Sequence, residues 1–400
     1  TKRGLSAGGG RFSLRRALVV IQVALSLVLV ASALLFTRSL TKLLTLDTGF
    51  NQENLLIARV SFRRLNIAPE RRIEFKEQML ERLKAVPGVQ SVTESDVIPL
   101  TGGGRSNVVW KEGDQNTKTD VSFNRVGIDY FKTIQLPLRA GRQFNSYDTL
   151  SSPRVAIVNE TLAQQLGEPN PVGHRFVVEE TPSEPETAYE IVGVVPDAKF
   201  DDLKETRVSV MFLPALQDPQ PATWRQFLIR SSLPQAEITA SVNKALTEVN
   251  PSIDTGFEWF QTMVQGSMLR ERLMATLSGF FGVLALVLAT IGLYGILTYA
   301  VSSRTNEIGI RIALGARVQE VVTLVLREAL LLVAIGIVAG IPAVFVIARF
   351  AQTLLFNLSP TDPLSLTLAV IVMLVVALLA AYLPARRATR IDPLIALRYE

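Results

Sequence analysis

The 400-residue chain has no cysteine and a single histidine, His174. Without thiols there are no disulfides, no thiolate nucleophile and no cysteine-bound metal. With one imidazole and no G-x-S-x-G stretch, triad hydrolysis and histidine-bound zinc chemistry are closed as well. His174 stands in Val172-Gly173-His174-Arg175-Phe176, between a turn and a strand, and reads as an ordinary surface residue. A nucleotide-binding loop is missing too: no G-x-x-x-x-G-K-[ST] run occurs, and Gly102-Gly103-Gly104-Arg105 lacks both the spacing and the lysine. The chain therefore reads as a non-catalytic one with no cofactor and no metal, and any nucleotide must be handled by a partner. Charge is scarce as well, at 19% of residues, against about a quarter in an ordinary soluble protein. Carboxylates such as Glu179-Glu180 and Asp201-Asp202 read as solvated loop charges.

What fills the space is apolar sequence, 48% of the chain, with a mean hydropathy of +0.29. It is concentrated in four runs, 17–36, 273–301, 321–348 and 364–383. Each reaches the roughly 20 residues that a helix needs to cross about 30 Å of hydrocarbon. The first run is too long for a signal-peptide core, and Phe36-Thr37-Arg38-Ser39 is no cleavage site, so it reads as a retained helix. Basic residues set the orientation. Lys2, Arg3, Arg11, Arg15 and Arg16 precede the first run; Arg304, Arg311 and Arg317 lie between the second and third; Arg386, Arg387, Arg390 and Arg398 follow the fourth. Residues 351–363 carry no Lys or Arg. The positive-inside bias places both termini and the middle loop in the cytoplasm and the long insert outside. Those cytoplasmic pieces carry about +8, which leaves roughly −3 for the rest of a chain whose net charge is +5. The pI near 9.5 thus reflects topology and not nucleic-acid binding.

The expected architecture is an α-helical integral membrane protein with four transmembrane helices and a large α+β extracytoplasmic domain between helices 1 and 2. Its parts are a cytoplasmic lead-in (1–16), transmembrane helix 1 with a stalk (17–46), and the periplasmic α+β domain (47–260). A stalk with transmembrane helix 2 (261–301) and a cytoplasmic coupling loop (302–320) follow. Transmembrane helix 3 (321–349), a short periplasmic loop (350–363), transmembrane helix 4 (364–384) and a cytoplasmic tail (385–400) complete it. Residues 261–300 as one helix would span roughly 60 Å, twice the hydrocarbon thickness. In the insert, strand signals at 55–62 and 89–98 flank a helix at 69–86, and strands at 226–230 and 253–258 flank a helix at 235–249. These predict two βαβ-like halves. Strands at 155–158 and 191–195 and a helix at 160–166 fall in a turn-rich stretch, about 127–196, expected as an inserted subdomain.

The middle loop reads Arg304-Thr305-Asn306-Glu307-Ile308-Gly309-Ile310-Arg311-Ile312-Ala313-Leu314-Gly315-Ala316. Ile308, Ile312 and Ala316 recur every four residues, Glu307 and Arg311 are placed to pair on one face, and Gly315 suits a helix end. Such a short amphipathic helix is either interfacial or a docking element for a cytoplasmic partner. Gly336 and Gly340 form a G-x-x-x-G in the third run, a pattern that lets helices pack closely, within the subunit or between subunits.

The stretch from Arg304 to Ala316 resembles the coupling-helix signature of MacB/FtsX-type ABC transporter permeases. Tyr382-Leu383-Pro384-Ala385-Arg386-Arg387-Ala388, with Asp392-Pro393 and Ala396-Leu397-Arg398-Tyr399-Glu400, resembles their C-terminus. The start at Thr1, with 15–26, is similar to the second half of duplicated orphan permeases of that family. The resemblance implies a bacterial inner-membrane, multi-pass subunit that transmits ATP-driven motion to its periplasmic domain, a mechanism called mechanotransmission, for efflux or export. The implied partners are a cytoplasmic ABC ATPase, a second permease unit and a periplasmic adaptor; nucleic acid is not among them. Arg304, Glu307, Ile308, Gly309, Arg311, Leu314 and Gly315 would form the ATPase-coupling element. Two further readings are a transmembrane regulator of a cell-wall hydrolase and an envelope scaffold or sensor without ATPase.

Overall fold

The computed structural model describes residues 7–167, 170–181, 184–303, 318–356, 358–359 and 362–388. The chain forms two compact units, Thr1–Thr45 with Leu269–Glu400, and Leu46–Met268.

The first unit is a bundle of α1 (Ala7–Leu44), α7 (Leu269–Ser303), α8 (Val318–Phe350) and α9 (Pro363–Ala388). All four are long and apolar enough to cross a membrane. Each is buried along one stripe only. On α1, Val19, Val23, Leu27, Val30 and Ala31 are sealed, whereas Leu18, Ile21 and Leu25 remain about 60% exposed, as a lipid-facing side requires. Most of the stripe on α7 is small residues, Ala275, Gly282, Ala285, Ala289 and Ala300, which let backbones approach where lipid offers no hydrophobic drive. At about 1.5 Å per residue, the 35 residues of α7 reach about 52 Å, well beyond one hydrocarbon core.

The second unit contains two cores. Strands β1 (Leu55–Ser61), β2 (Val89–Ser95), β10 (Trp224–Ser231) and β11 (Asp254–Trp259) line up in the order β11-β1-β10-β2, all antiparallel. Helices α2 (Pro69–Lys84) and α5 (Gln235–Val249) connect β1 to β2 and β10 to β11. Their Met79, Leu83, Ile238, Val242 and Leu246 seal one face of the sheet. This is the split βαβ arrangement expected from the two sequence halves. Pro69 opens α2 at a position whose N–H would be unpaired anyway. Gly88, at φ +84°, makes the turn into β2, where a Cβ would strike Leu233.

Between β2 and β10 lie β3 (Arg105–Lys111), β4 (Asp114–Val126), α3 (Tyr130–Ile134), β5 (Ala140–Gly141) and β6 (Val155–Asn159). α4 (Glu160–Gln165), β7 (Arg175–Val178), β8 (Thr187–Val195) and β9 (Val210–Pro214) follow. The order β4-β3-β7-β8-β6-β9, together with a parallel pairing of β9 onto β4, closes these six strands into a barrel. Its core takes residues from Val109 to Leu213. The inserted subdomain is therefore wider than 127–196, because the polar hairpin β3–β4 supplies two of its staves.

A second difference concerns the stretch 261–301. It is two helices, α6 (Phe260–Ser267) and α7, separated at Met268, whose φ and ψ of −92° and 13° leave the helical range. α6 keeps its own anchor in the second unit: Phe260 is fully buried with its ring edge-on to Phe50 at 5.5 Å.

Candidate coupling site

The residues expected to couple, Arg304, Glu307, Ile308, Gly309, Arg311, Leu314 and Gly315, lie outside the described residues. The frame that holds them is described. α7 leads into the segment at Ser303 and α8 leads out of it at Val318.

Three cationic contacts tie this end of the bundle together. Arg16 of α1 pairs with Glu328 of α8. The guanidinium of Arg15 lies over the Tyr299 ring of α7, 4.8 Å from its centroid. Arg387 of α9 donates to the Tyr294 hydroxyl of α7 at 2.7 Å. The start of α1, the end of α7, the start of α8 and the end of α9 thus share one end of the bundle. At the opposite end, Arg38 pairs with Asp362, and the Ser365 N–H and hydroxyl both donate to that carboxylate. The Phe356 N–H there donates to Ser39 Oγ at 2.8 Å.

Between the two ends, α1 is the common neighbour. Gly336 and Gly340 face it within the same chain. A Cβ on Gly336 would stand 2.5 Å from Val23 Cγ1 and 3.1 Å from the Val20 carbonyl; one on Gly340 would meet the Ala24 backbone at 3.1 Å. On the α7 side, Gly282 lies against Leu29, Val30 and Ala33, and Ser26 Oγ donates to the Ala285 carbonyl at 3.1 Å. At seams this close neither partner has side-chain slack.

The second unit holds an electrostatic feature that reading the sequence missed. Arg225, 1% exposed, sends Nε to Glu94 at 3.0 Å and Nη2 to Asp218 at 3.2 Å, and Nη1 pairs with Asp96. Lys76 of α2 approaches Glu94 at 3.5 Å. Arg125 of β4 lies 4.0 Å from Asp218 and donates to both oxygens of Glu184, at 2.7 and 2.9 Å. Three cations and four carboxylates therefore run unbroken from the α2 face to the barrel. Burial pulls the Lys76 ammonium below its ordinary value, only partly offset by Glu94, and burial likewise lowers Arg225. Nothing local marks these residues, since a charge on a strand usually points to water; the pairing of β10 with β2 brings Arg225 beside Glu94, and α2 and β4 bring Lys76 and Arg125 to them.

His174 is exposed in the turn before β7, as its context suggested. Asp201 is not simply solvated: Ser122 Oγ donates to it at 2.9 Å. Among the described residues no group of three His, Asp or Glu could hold a metal ion.

Two family models match the chain, a MacB-like periplasmic core domain over residues 17–255 and an FtsX-like permease C-terminal region over residues 279–393. The macrolide export ATP-binding/permease protein MacB of Rhodospirillum rubrum is 26% identical over 303 residues, covering 70% of this chain and 45% of that protein. The pyoverdine export ATP-binding/permease protein PvdT of Pseudomonas syringae is 26% identical over 332 residues, covering 80% and 48%. The ABC transporter permease YknZ of Bacillus subtilis is 25% identical over 333 residues, covering 82% and 79%. The chain spans about half the length of the MacB proteins it matches. The crystal structure of the periplasmic region of MacB from Actinobacillus actinomycetemcomitans aligns at a TM-score of 0.38 and 16% identity, over 56% of this chain and 97% of that one.

Proposed function

Because the chain belongs to the MacB/FtsX-type family of ABC transporter permeases, we propose that it relays the stroke of a separate cytoplasmic ATPase to its extracytoplasmic unit, in the service of export. In this reading the ATPase closes on ATP and pushes the segment 304–316. Apolar Ile308 and Leu314 seat in its surface, Glu307 and Arg311 fix the register, and Gly309 and Gly315 let the chain approach and turn. The push enters α7 and α8, and the Arg16–Glu328 pair and the glycine seams carry α1 with them.

The observation that carries the reading is the unbroken run of α7, about 52 Å of helix ending one residue before Arg304. A rigid rod of that length delivers at one end what is applied at the other. Cargo need not pass between the helices, whose shared interior is lined by Val, Leu and Ala. The basic residues at the bound-together end, Arg15, Arg16 and Arg387, support a cytoplasmic position for it at the inner membrane, by the positive-inside bias. Relatives named for macrolide export and for pyoverdine export support export as the work that the stroke performs. A second permease unit would complete the complex, and a periplasmic adaptor would extend it.

The test is co-purification of the tagged chain from gentle detergent, comparing the unaltered protein with Glu307→Lys and Arg311→Glu. An ABC-type ATPase should accompany the unaltered chain and be lost from both variants while their membrane insertion stays normal. The same ATPase recovery in all three samples would remove 304–316 from the mechanism.

A further inference from the structure

The six-stranded barrel is filled along only part of its bore. Strand alternation turns one set of side chains inward, and the pairings identify that set: Val109 opposite Val178, Phe176 opposite Tyr189, Phe123 opposite Met211, and Arg125 opposite Leu213. Toward one end the inward residues meet: Val121, Ala156, Val158, Phe176 and Ile191 are buried in a single cluster. Toward the other end the same rows continue into Arg105, Phe123, Arg125, Tyr189, Met211 and Leu213, and these surround a cavity of about 380 Å³. That volume lies in the range of small-molecule sites, and barrel mouths are among their preferred places.

The lining has two chemistries. Phe123, Met211, Leu213 and Val178 make an apolar wall. The charges are distributed unevenly. Glu184 is engaged by Arg125, which is 5% exposed and has the Tyr189 hydroxyl beside it. Glu179 is engaged by Lys118 at 3.1 Å. Arg105, at the mouth, is exposed and has no carboxylate partner among the described residues. A cavity whose carboxylates are already neutralised, with one unmatched guanidinium beside an apolar wall, is complementary to an anion carrying an apolar body.

We propose that this barrel mouth binds a small amphipathic carboxylate, its apolar body against Phe123, Met211 and Leu213 and its carboxylate on Arg105. Arg125 is held by Glu184 and Asp218 and serves as a fixed polar floor. The site lies wholly within Leu46–Met268 and stands independently of any coupling to an ATPase.

The absence of cysteine supplies the assay. Thr187, inward-facing on β8 opposite Val178, is half-buried at the cavity. Thr187→Cys gives the 400-residue chain, in lipid nanodiscs, one thiol whose reaction with a maleimide reads occupancy. The probe is 4-phenylbutyrate, with the uncharged 4-phenylbutyramide as control. The carboxylate should slow labelling about tenfold at saturation, with a midpoint on the order of 1 mM for a ligand of this size. The amide should leave the rate within about twofold, since it forfeits the charge-assisted pair. Arg105→Gln should abolish protection by the carboxylate, and Met211→Trp should block the bore and abolish it by another route. No slowing by the carboxylate, equal slowing by both compounds, or undiminished protection in Arg105→Gln would each overturn the assignment.

Discussion

Replacing Arg225 by methionine should damage the second unit more than any surface change could. The substitution keeps a long, apolar stem in the same volume and removes only the guanidinium, so that packing is largely preserved. It strands Glu94, Asp96 and Asp218, all largely buried, with Lys76 and Arg125 as the remaining cations. Breaking a buried ion pair by removing one partner costs about 3–5 kcal/mol. In a unit of this size each kcal/mol moves the midpoint by about 2–4 °C, so a fall of roughly 6–20 °C is expected. The readout is unusually clean because all three tryptophans, Trp110, Trp224 and Trp259, lie in Leu46–Met268. A tryptophan-fluorescence melt of the full chain therefore follows that unit alone. Adding Asp218→Asn to the variant should recover part of the loss, since one stranded charge is gone, by about 0.5–3 kcal/mol. A midpoint within about 2 °C of the unaltered protein would show that the ionic chain contributes nothing net, and the reasoning would fail.

Two further outcomes follow from described contacts. Asp148 accepts both Nη groups of Arg142 at 2.8 Å and the Asn145 N–H at 2.9 Å. Burial pushes its carboxyl up, but these bonds together hold it below its ordinary value of 3.8. A carboxyl depressed in the folded state stabilises above that value and loses its contribution as pH falls through the folded one. Asp148→Asn should thus lower the melting midpoint at pH 7, and the gap to the unaltered protein should shrink as acid melts go below the ordinary carboxyl value; a gap that widens in acid would contradict the sign. In the bundle, Gly336→Ala should cost about 1–3 kcal/mol through overpacking against Val23, seen as a lower SDS-unfolding midpoint. Gly336→Ala with Val23→Ala should restore it, while Gly282→Ala, whose nearest neighbours stand at 3.5–3.7 Å, should change little.

The parts legible in the sequence were those written in long or strictly periodic apolar patterns. The four helices announced themselves by length, and α5 occupies the 235–249 that its periodicity indicated. β1, β2, β10 and β11 fell within a few residues of their expected places, β1 and β10 on short runs of Leu, Ile, Val and Phe. The hairpin β3–β4 escaped notice because its sequence, from Arg105 through Asp114 to Val126, is polar at most positions, with apolar residues only at Val108, Val109 and Trp110 and again at Val121, Phe123 and Val126. The barrel was invisible for a different reason: its closure rests on β4 meeting β9, a pairing that no local pattern encodes. The split between α6 and α7 lay hidden inside one helix-compatible stretch, since helix propensity does not say which hydrophobic neighbour will capture Phe260.

That closing pair has a consequence for how the protein is made. Ser122 meets Val210 and Val126 meets Pro214, so the two edges of the ring are joined across roughly 90 residues, a long-range contact of the slow-forming kind. Until β9 has emerged from the translocating machinery, the outer edge of β4 has no neighbour and its backbone groups face any strand that passes. Newly exported copies crowded together would compete for that edge, pairing β4 of one with β9 of another. The barrel that has no loose edge when finished is thus the region most exposed to strand exchange while it is being built.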